Sequence, residues 1–202
     1  MSVTVGIVTL GAANRRSIDS ALTRAGAATR FIDDPFAVGA CDALVLPGVA
    51  NFGYIAEELD RTGMRSALIE AITFGIPLLG ICVGFQLLFE GSDEAPGAHG
   101  LGIFEGAVRR LRTPRVPHMG WNRVDPQNGA IEAGWAYFAN AYAPGAEVRD
   151  AIATTRDGED CFTSAAARGN VLGMQFHPER SGAYGAGLLA AFVRSAEVAY
   201  AR

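Results

Sequence analysis

The stretch "IPLLGICVGFQLLFEG", residues 76–91, decides the fold class of this 202-residue chain. Its first half, "IPLLGIC", is a short apolar run typical of a fully buried strand, whereas "VGFQLLFEG" favours a helix. Similar patterns precede it, and their order up to residue 90 is β-α-β-β-α-β-α. That order is typical of an open, mostly parallel sheet flanked by helices. We therefore expect an α/β protein.

The flanking patterns agree with this expectation and change in character after residue 91. Upstream, the predicted strands are "VTVGIVTL", "ATRFI" and "CDALVLPG". The predicted helices are the segment from Ser17 to Gly26 and "YIAEELDRTGMRSALIEAITFG", for which a break near Gly63 is the alternative. Downstream, the predicted strands are "GAVRRL", "NRVD", "AYFANAY", "AIATT" and "VLGMQF", with an Asp-Gly hairpin turn in "RDGEDC". A helix, "GLLAAFVRSAEVAY", ends the pattern. The sequence predicts one domain over residues 1–202 with a β-rich second half.

Composition excludes several classes of function. Half of the residues are apolar, 19% are charged, and the formal net charge is −4, which argues against a nucleic-acid surface. The three cysteines are widely spaced and odd in number, so neither a disulfide framework nor a metal site is expected. The longest uncharged run is shorter than a membrane helix, and no secretory signal opens the chain. We expect a cytoplasmic protein without metal, cofactor or membrane contact.

Cys82 lies where the predicted strand meets the predicted helix, with a glycine two residues to each side. The G-x-S-x-G nucleophile elbow has the same arrangement, in which small neighbours let strand and helix approach closely. The N–H groups at a helix N-terminus favour a thiolate, and the N–H of Val83 would face the oxyanion formed when the thiolate attacks a carbonyl. Free cysteine is also among the most buried residue types, so a plain core position is the alternative.

His177 is the best candidate for the base that a thiolate nucleophile needs. It follows the predicted strand "VLGMQF", at the sheet edge where ligands collect in α/β proteins, and Glu179 can turn back to orient its ring. The alternative is a capped strand end with an exposed Glu179. His99 lies in a polar loop and reads as solvated, and His118 in "PHMGWN" reads as a structural or interface residue.

Two segments carry a family resemblance. "GICVGFQLLF" together with "QFHPERS" resembles the class I, triad-type glutamine amidotransferases, whose pattern is a G-x-C-x-G-x-Q elbow and a later H-P-E. "LPGVANFG", "EAPGAHGLGIFEG" and above all "PHMGWN" are similar to the glutaminase subunits of imidazole glycerol phosphate synthases. The resemblance spans nearly the whole chain. It implies a flavodoxin-like fold and hydrolysis of L-glutamine to glutamate and ammonia through a cysteine thioester. It also implies a heterodimer with a (β/α)8-barrel cyclase subunit, which uses the ammonia to make imidazole glycerol phosphate and aminoimidazole carboxamide ribotide in histidine biosynthesis.

The resemblance further implies roles for individual residues. By position these are the catalytic residues Cys82, His177 and Glu179; the oxyanion-hole donors Val83 and Val49; the substrate-binding residues Gln86, Gly48, Asn140 and Ala141; and the partner-interface residues Asn14, His118, Met119, Trp121, Asn122 and Arg180. For Gln86 the alternative is an ordinary helix residue. For the interface positions the alternatives are a plain turn, a packed loop and a solvated cation.

The chain departs from the family pattern at three places. "TLGAAN" stands where relatives have D-Y-G-x-G-N, and Ala50 replaces a glycine, which restricts the loop that supplies the second oxyanion donor. Asn140 and Ala141 replace a histidine and a hydroxyl residue. Two alternatives therefore accompany the main hypothesis: a triad glutaminase that serves another synthase, and a non-catalytic subunit that only stabilises a cyclase.

Overall fold

A computed structural model describes residues 2–10, 15–48, 50–113 and 115–200 of the chain. For residues 199 and 200 it describes the backbone alone. Within these ranges no helix is long and apolar enough to span a membrane.

The described residues form twelve strands and five α-helices. The strands are β1 (Thr4–Val8), β2 (Ala28–Ile32), β3 (Ala43–Gly48), β4 (Leu78–Cys82), β5 (Gly91–Ser92), β6 (Ala107–Arg110), β7 (His118–Pro126), β8 (Gly134–Asn140), β9 (Tyr142–Pro144), β10 (Ala151–Asp157), β11 (Asp160–Arg168) and β12 (Val171–Met174). The α-helices are α1 (Arg15–Arg24), α2 (Phe52–Arg61), α3 (Met64–Thr73), α4 (Val83–Gln86) and α5 (Gly182–Tyr200), and short 3-10 helices cover Pro35–Ala40 and Pro178–Arg180.

Nine of these strands form one sheet in the order β2-β1-β3-β4-β12-β11-β10-β7-β8. The strands from β2 to β12 run parallel to their neighbours, and from β12 to β8 every pairing is antiparallel. The expected α/β fold with a β-rich second half is confirmed. The parallel strands β3, β4 and β12 are almost entirely buried, as expected for strands covered on both faces.

The segment predicted as the single strand "AYFANAY" is divided between two sheets. β8 belongs to the large sheet and ends at Asn140, whereas β9 begins at Tyr142 and pairs with β6 in a three-stranded sheet. Ala141 lies at the change of direction, and its carbonyl accepts a hydrogen bond from Leu111 N–H at 2.9 Å. A continuous apolar alternation does not reveal such a change of sheet.

The helix after Cys82 is shorter than its pattern predicts, because α4 ends at Gln86. The carbonyls that would continue it bond to a downstream loop instead: Leu101 N–H donates to Leu87 O at 2.6 Å, and Ile103 N–H donates to Leu88 O at 2.8 Å. Gly100 passes so close to this segment that a Cβ there would lie 1.9 Å from Phe89 O. Local propensity is therefore overridden by tertiary hydrogen bonds.

Two further expectations about the second half were wrong or incomplete. "PHMGWN", for which a packed loop was one alternative, enters β7 at His118, and residues His118 to Val124 pair in register with β8. The strand β11 was not predicted, because "DCFTSAAAR" is rich in alanine and small polar residues, which have weak strand signals. The Asp-Gly hairpin therefore joins β10 to β11, and β12 follows.

Candidate active site

Cys82 lies at a strained elbow between β4 and α4. Its φ of 56° is the one positive value among the described non-glycine residues. A Cβ at Gly84 would lie 1.8 Å from Leu46 O, and a Cβ at Gly80 would lie 2.8 Å from Gly84 O, so both neighbouring positions require glycine. Backbone strain of this kind persists only where the surrounding packing holds it, and it is frequent at functional sites.

His177 and Glu179 lie beside Cys82, on the segment that follows β12. His177 Nδ1 is 2.9 Å from Glu179 Oε1, which leaves Nε2 for the hydrogen bond with Cys82. The side chains of both residues are almost fully buried, at 7% and 0% exposure. The parallel pairing of β12 with β4 brings the two strand ends to the same edge of the sheet. The structure therefore assembles the three side chains that the sequence singled out.

The surroundings of His177 favour the charged form of its ring. Burial alone would lower its pKa, because a charged ring is poorly solvated there. The hydrogen bonds and charges of Cys82 and Glu179 outweigh burial and raise the pKa of His177 to about 10. An imidazolium beside the sulfur favours the thiolate, the form of cysteine that acts as a nucleophile.

Ser181 fixes the position of the histidine. Its buried hydroxyl donates to His177 O at 2.6 Å and accepts from Tyr137 N–H at 3.0 Å. His177 N–H in turn donates to Tyr137 O at 2.9 Å. Two of these hydrogen bonds connect the antiparallel strand β8 to the segment that carries His177, and the third closes that segment on itself.

A cavity of about 310 Å³ opens onto Cys82 and His177. It is small enough for an amino acid, and its walls come from both halves of the fold. The other residues that line it are Ala50, Val83, Gln86, Glu94, Ala139, Asn140, Ala141, Tyr142 and Arg180. Among these, Glu94 supplies a carboxylate and Arg180 a guanidinium, a pair complementary to the two charges of a zwitterionic amino acid.

Gln86 and Asn140 meet at one backbone carbonyl on the cavity wall. Gln86 Nε2 donates to Tyr142 O at 2.8 Å, and Asn140 Nδ2 donates to the same oxygen at 3.0 Å. Asn140 Oδ1 is buried and has no hydrogen-bond partner among the described residues. A buried acceptor without a partner is costly, so this oxygen is suited to a ligand donor.

The expected oxyanion donors are placed unequally. Val83 is the first residue of α4, where N–H groups have no partner inside the helix. Val49 lies outside the described residues. Gly48 does not line the cavity; a Cβ there would lie 2.7 Å from Val83 Cβ, so this glycine lets its loop approach α4 closely.

The expected interface residues separate into two groups. Met119 and Trp121 are 65% and 54% exposed on one face of β7, and Arg180 is exposed as well. Asn122 is only partly exposed, and its side-chain amide lies 3.4 Å from His118 Nε2. His118 points to the opposite face, where it is half-buried and pairs with Asp157 at 2.9 Å. Asn14 lies outside the described residues.

Sequence reasoning missed two polar residues of the site. Glu94 lines the cavity, and its Oε2 accepts from Phe52 N–H at 2.8 Å. Gln175 is fully buried, and its Nε2 lies 3.8 Å from Cys82 Sγ. An uncharged polar side chain inside the apolar run "VLGMQF" was the available signal for Gln175. Glu94 opens the segment "EAPGAHGLGIFEG", which carried the family resemblance without indicating a role for this residue.

Comparison with known proteins gives the class first. Residues 12–196 match the family model described as "Glutamine amidotransferase class-I". A solved structure described as a glutamine amidotransferase has the same fold, with a TM-score of 0.75 at 21% identity, covering 96% of this chain and 98% of the other. Fold, site and family model therefore define a class I glutamine amidotransferase, as the sequence predicted.

The particular family follows from curated relatives. The "Imidazole glycerol phosphate synthase subunit HisH" of Thermococcus kodakarensis is 42% identical over 94% of this chain and 99% of its own length. The protein of the same name from Deinococcus radiodurans is 42% identical over 91% of this chain and 90% of its own length. The chain belongs to the HisH family of glutamine amidotransferase subunits.

Proposed function

We propose that Cys82, His177 and Glu179 are the triad that hydrolyses L-glutamine in this chain. The observation that carries the proposal is the strained elbow, which presents Cys82 to a histidine held 2.9 Å from a buried carboxylate. The whole chain, residues 1–202, then acts as one amidotransferase domain, in line with the family match over residues 12–196.

The chemistry follows from this geometry in two steps. The Cys82 thiolate attacks the carboxamide carbon of glutamine, and the oxyanion receives a hydrogen bond from Val83 N–H, with Val49 N–H as the second expected donor. The imidazolium of His177 gives its proton to the departing nitrogen, so that ammonia leaves and a γ-glutamyl thioester remains. His177 then removes a proton from water, which attacks the thioester and releases glutamate.

The cavity walls account for the choice of substrate. We assign the α-ammonium group to Glu94 and the α-carboxylate to Arg180, because both line the cavity and they carry charges of opposite sign. Gln86 has already donated both amide hydrogens, so its Oε1 is the group left for the carboxamide of the ligand. Asn140 Oδ1 is a second acceptor, and Ala141 contributes wall surface. Glutamate, whose side chain ends in acceptors alone, would meet these oxygens unfavourably.

The partner proposed for this chain is a (β/α)8-barrel cyclase that receives the ammonia. Its docking face would be the exposed side of β7 and β8, where Met119 and Trp121 are largely exposed. The face continues to the cavity through Tyr137, which contacts Trp121 at a ring-centroid distance of 6.4 Å and carries the guanidinium of Arg180 3.9 Å from its ring centroid. An aromatic patch with an arginine is typical of the centre of an interface. By the family resemblance, Asn122 and Asn14 remain proposed interface residues.

The free thiols of all three cysteines are in keeping with a reducing compartment, and we propose the cytoplasm. The test is a glutaminase assay with and without a cognate cyclase and its ligand. We expect slow hydrolysis by the chain alone and strong stimulation by the loaded partner. Cys82→Ala should abolish glutamine hydrolysis both without and with the partner, and the variant should still bind the partner. Full activity of that variant would contradict the triad, and failure to bind any cyclase would contradict the partner.

A further inference from the structure

Gln175 occupies an unusual position for an uncharged polar side chain. It is fully buried directly after β12, where the register that pairs Met174 with Ile81 places it next to Cys82. Its Nε2 lies 3.8 Å from Cys82 Sγ, and its Oε1 accepts a hydrogen bond from Gln86 Nε2 at 3.1 Å. Gln175 is not among the residues that line the cavity. It therefore contacts the reacting sulfur from the protein interior, without contacting the space for the substrate.

The direction of these hydrogen bonds is fixed by a backbone group. The carbonyl of Tyr142 can only accept, so Gln86 must present its NH₂ group to it. The second hydrogen of that NH₂ group is then directed at Gln175, which must present Oε1 in return. The amide of Gln175 consequently presents N–H, and not oxygen, to the sulfur of Cys82. This chain of bonds runs from Tyr142 through Gln86 and Gln175 to Cys82.

A buried thiolate needs such a donor. Cys82 is 4% exposed, and burying a charge without hydrogen bonds is strongly unfavourable. His177 supplies one charged donor to the sulfur. The amide of Gln175 supplies a neutral one from another element, and its orientation survives the proton transfers of the reaction because no titration is involved.

We propose that Gln175 is a positioning residue that stabilises the Cys82 thiolate and fixes the aim of the sulfur, under the control of Gln86. The inference rests on the proposed function, since it assumes that Cys82 is the nucleophile. In this proposal Gln86, which faces the substrate, also sets the orientation of the Gln175 amide next to the sulfur. Loss of the Gln175 donor should therefore affect the chemical step rather than the binding of glutamine.

The test compares Gln175→Met and Gln175→Leu with Gln127→Met. Methionine and leucine keep most of the volume of Gln175 but remove the donor, whereas Gln127 is exposed and bonds to Thr154 on the surface. Two apolar variants are used so that one that folds is sufficient, and thermal unfolding identifies it. The probe is iodoacetamide, whose reaction with the Cys82 peptide is followed by mass spectrometry as a function of pH.

We expect the pH midpoint of Cys82 alkylation to rise by about one unit in the Gln175 variants, which is about a tenfold loss of thiolate on the acidic side. The turnover number for glutamine with the partner present should fall by about tenfold, with KM changed less than about twofold. Gln127→Met should leave the midpoint, turnover number and KM unchanged.

An unchanged alkylation midpoint in a folded Gln175 variant would overturn the inference and leave Gln175 as a packing residue. An equal rise in KM would also contradict it, because the effect would then lie in substrate binding. Failure of the proposed function has a different signature. In that case full alkylation of Cys82 in the unmodified sequence would leave glutamine hydrolysis intact, whatever the Gln175 variants did.

Discussion

Two histidines of this chain each face a carboxylate at the same distance, in different parts of the fold. His177 Nδ1 lies 2.9 Å from Glu179 at the end of the parallel strands, and His118 Nδ1 lies 2.9 Å from Asp157 in the antiparallel extension. The surroundings differ. His177 has Cys82 on its other side and an amino-acid-sized cavity in front of it. The other nitrogen of His118 lies 3.4 Å from the amide of Asn122.

The difference shows what turns a histidine–carboxylate pair into a base. The His118 ring packs against Phe138 and Phe162, and 28% of the Asp157 side chain is exposed, so water screens the pair. The Glu179 side chain is fully buried, and it holds the His177 ring against Cys82. The distance between ring and carboxylate is the same in both pairs. The pairs differ in the group on the other side of the ring, a cysteine or an asparagine, and in how well water is excluded. We infer a structural role for the pair of His118 with Asp157 and a catalytic role for the pair of His177 with Glu179.

The largest predicted effect separates the two histidines directly. His177→Asn should lower partner-stimulated glutamine hydrolysis by about 10²–10⁴-fold, because the leaving ammonia then has no proton donor. His118→Asn should stay within about threefold, because a partly exposed pair contributes about 1 kcal/mol or less. Steady-state assays with saturating cyclase and ligand provide the measurement. Similar losses of glutamine hydrolysis in the two variants would contradict different roles for the two histidines.

The carboxylates should differ in the same sense but by less. Glu179→Gln removes the charge that orients and stabilises the imidazolium, and we expect turnover to fall by on the order of 10²-fold. This is less than in serine enzymes, where the loss is about 10⁴-fold, because sulfur needs less activation. Asp157→Asn is the matched control and should retain most of the activity. Normal turnover by Glu179→Gln would show that the triad has only two members.

The pH dependence of stability should report the buried pair. The folded-state pKa of His177 is about 10, above its ordinary 6.5, so the folded protein binds the proton more tightly than the unfolded chain. The resulting stabilisation is complete below pH 6.5 and is lost as the pH rises through about 10. We expect the free energy of unfolding, measured with urea, to fall by up to about 5 kcal/mol over that range. Cys82→Ala removes one cause of the raised pKa, so its slope should be shallower. An equal slope in His177→Asn would assign the effect to other groups.

The smallest predicted effect concerns Asn140, which pairs with His118 in the β7–β8 ladder and also lines the cavity. Asn140 therefore connects the region around His118 with the cavity at Cys82. Asn140→Leu removes the buried acceptor Oδ1, and KM for glutamine should rise by about tenfold with turnover little changed. The control is Asn128→Leu, at an exposed turn position. An unchanged KM would show that Oδ1 does not contact the substrate.

Much of this site could be predicted because its chemistry depends on residues that are close together in the sequence. A cysteine between two glycines at a strand–helix junction requires the close contacts that Gly80 and Gly84 make, and a strand-end histidine with an acid two residues later completes the pattern. The parallel half of the sheet was predictable for a similar reason. Its strands are short, apolar and separated by amphipathic helices.

The rest could not be predicted because it depends on contacts between distant segments. α4 ends early because the loop around Leu101 donates to the carbonyls of the residues that follow it, Leu87 and Leu88. The chain leaves the large sheet after β8 because β9 pairs with β6 in the smaller sheet. Glu94 reaches the cavity from a loop whose composition indicates only a turn. Gln175 was visible as an amide in an apolar strand, but its bond to sulfur depends on the pairing of β12 with β4.

One measurement tests the central claim most directly: covalent labelling with 6-diazo-5-oxo-L-norleucine, a glutamine-like electrophile, in the presence of the cyclase partner. Peptide mass spectrometry identifies the labelled residue while glutamine hydrolysis is followed in the same samples. The account predicts one adduct per chain, on Cys82, with activity lost in proportion, and no adduct in Cys82→Ala. Labelling at another residue, or full hydrolysis after Cys82 is completely labelled, would contradict the account.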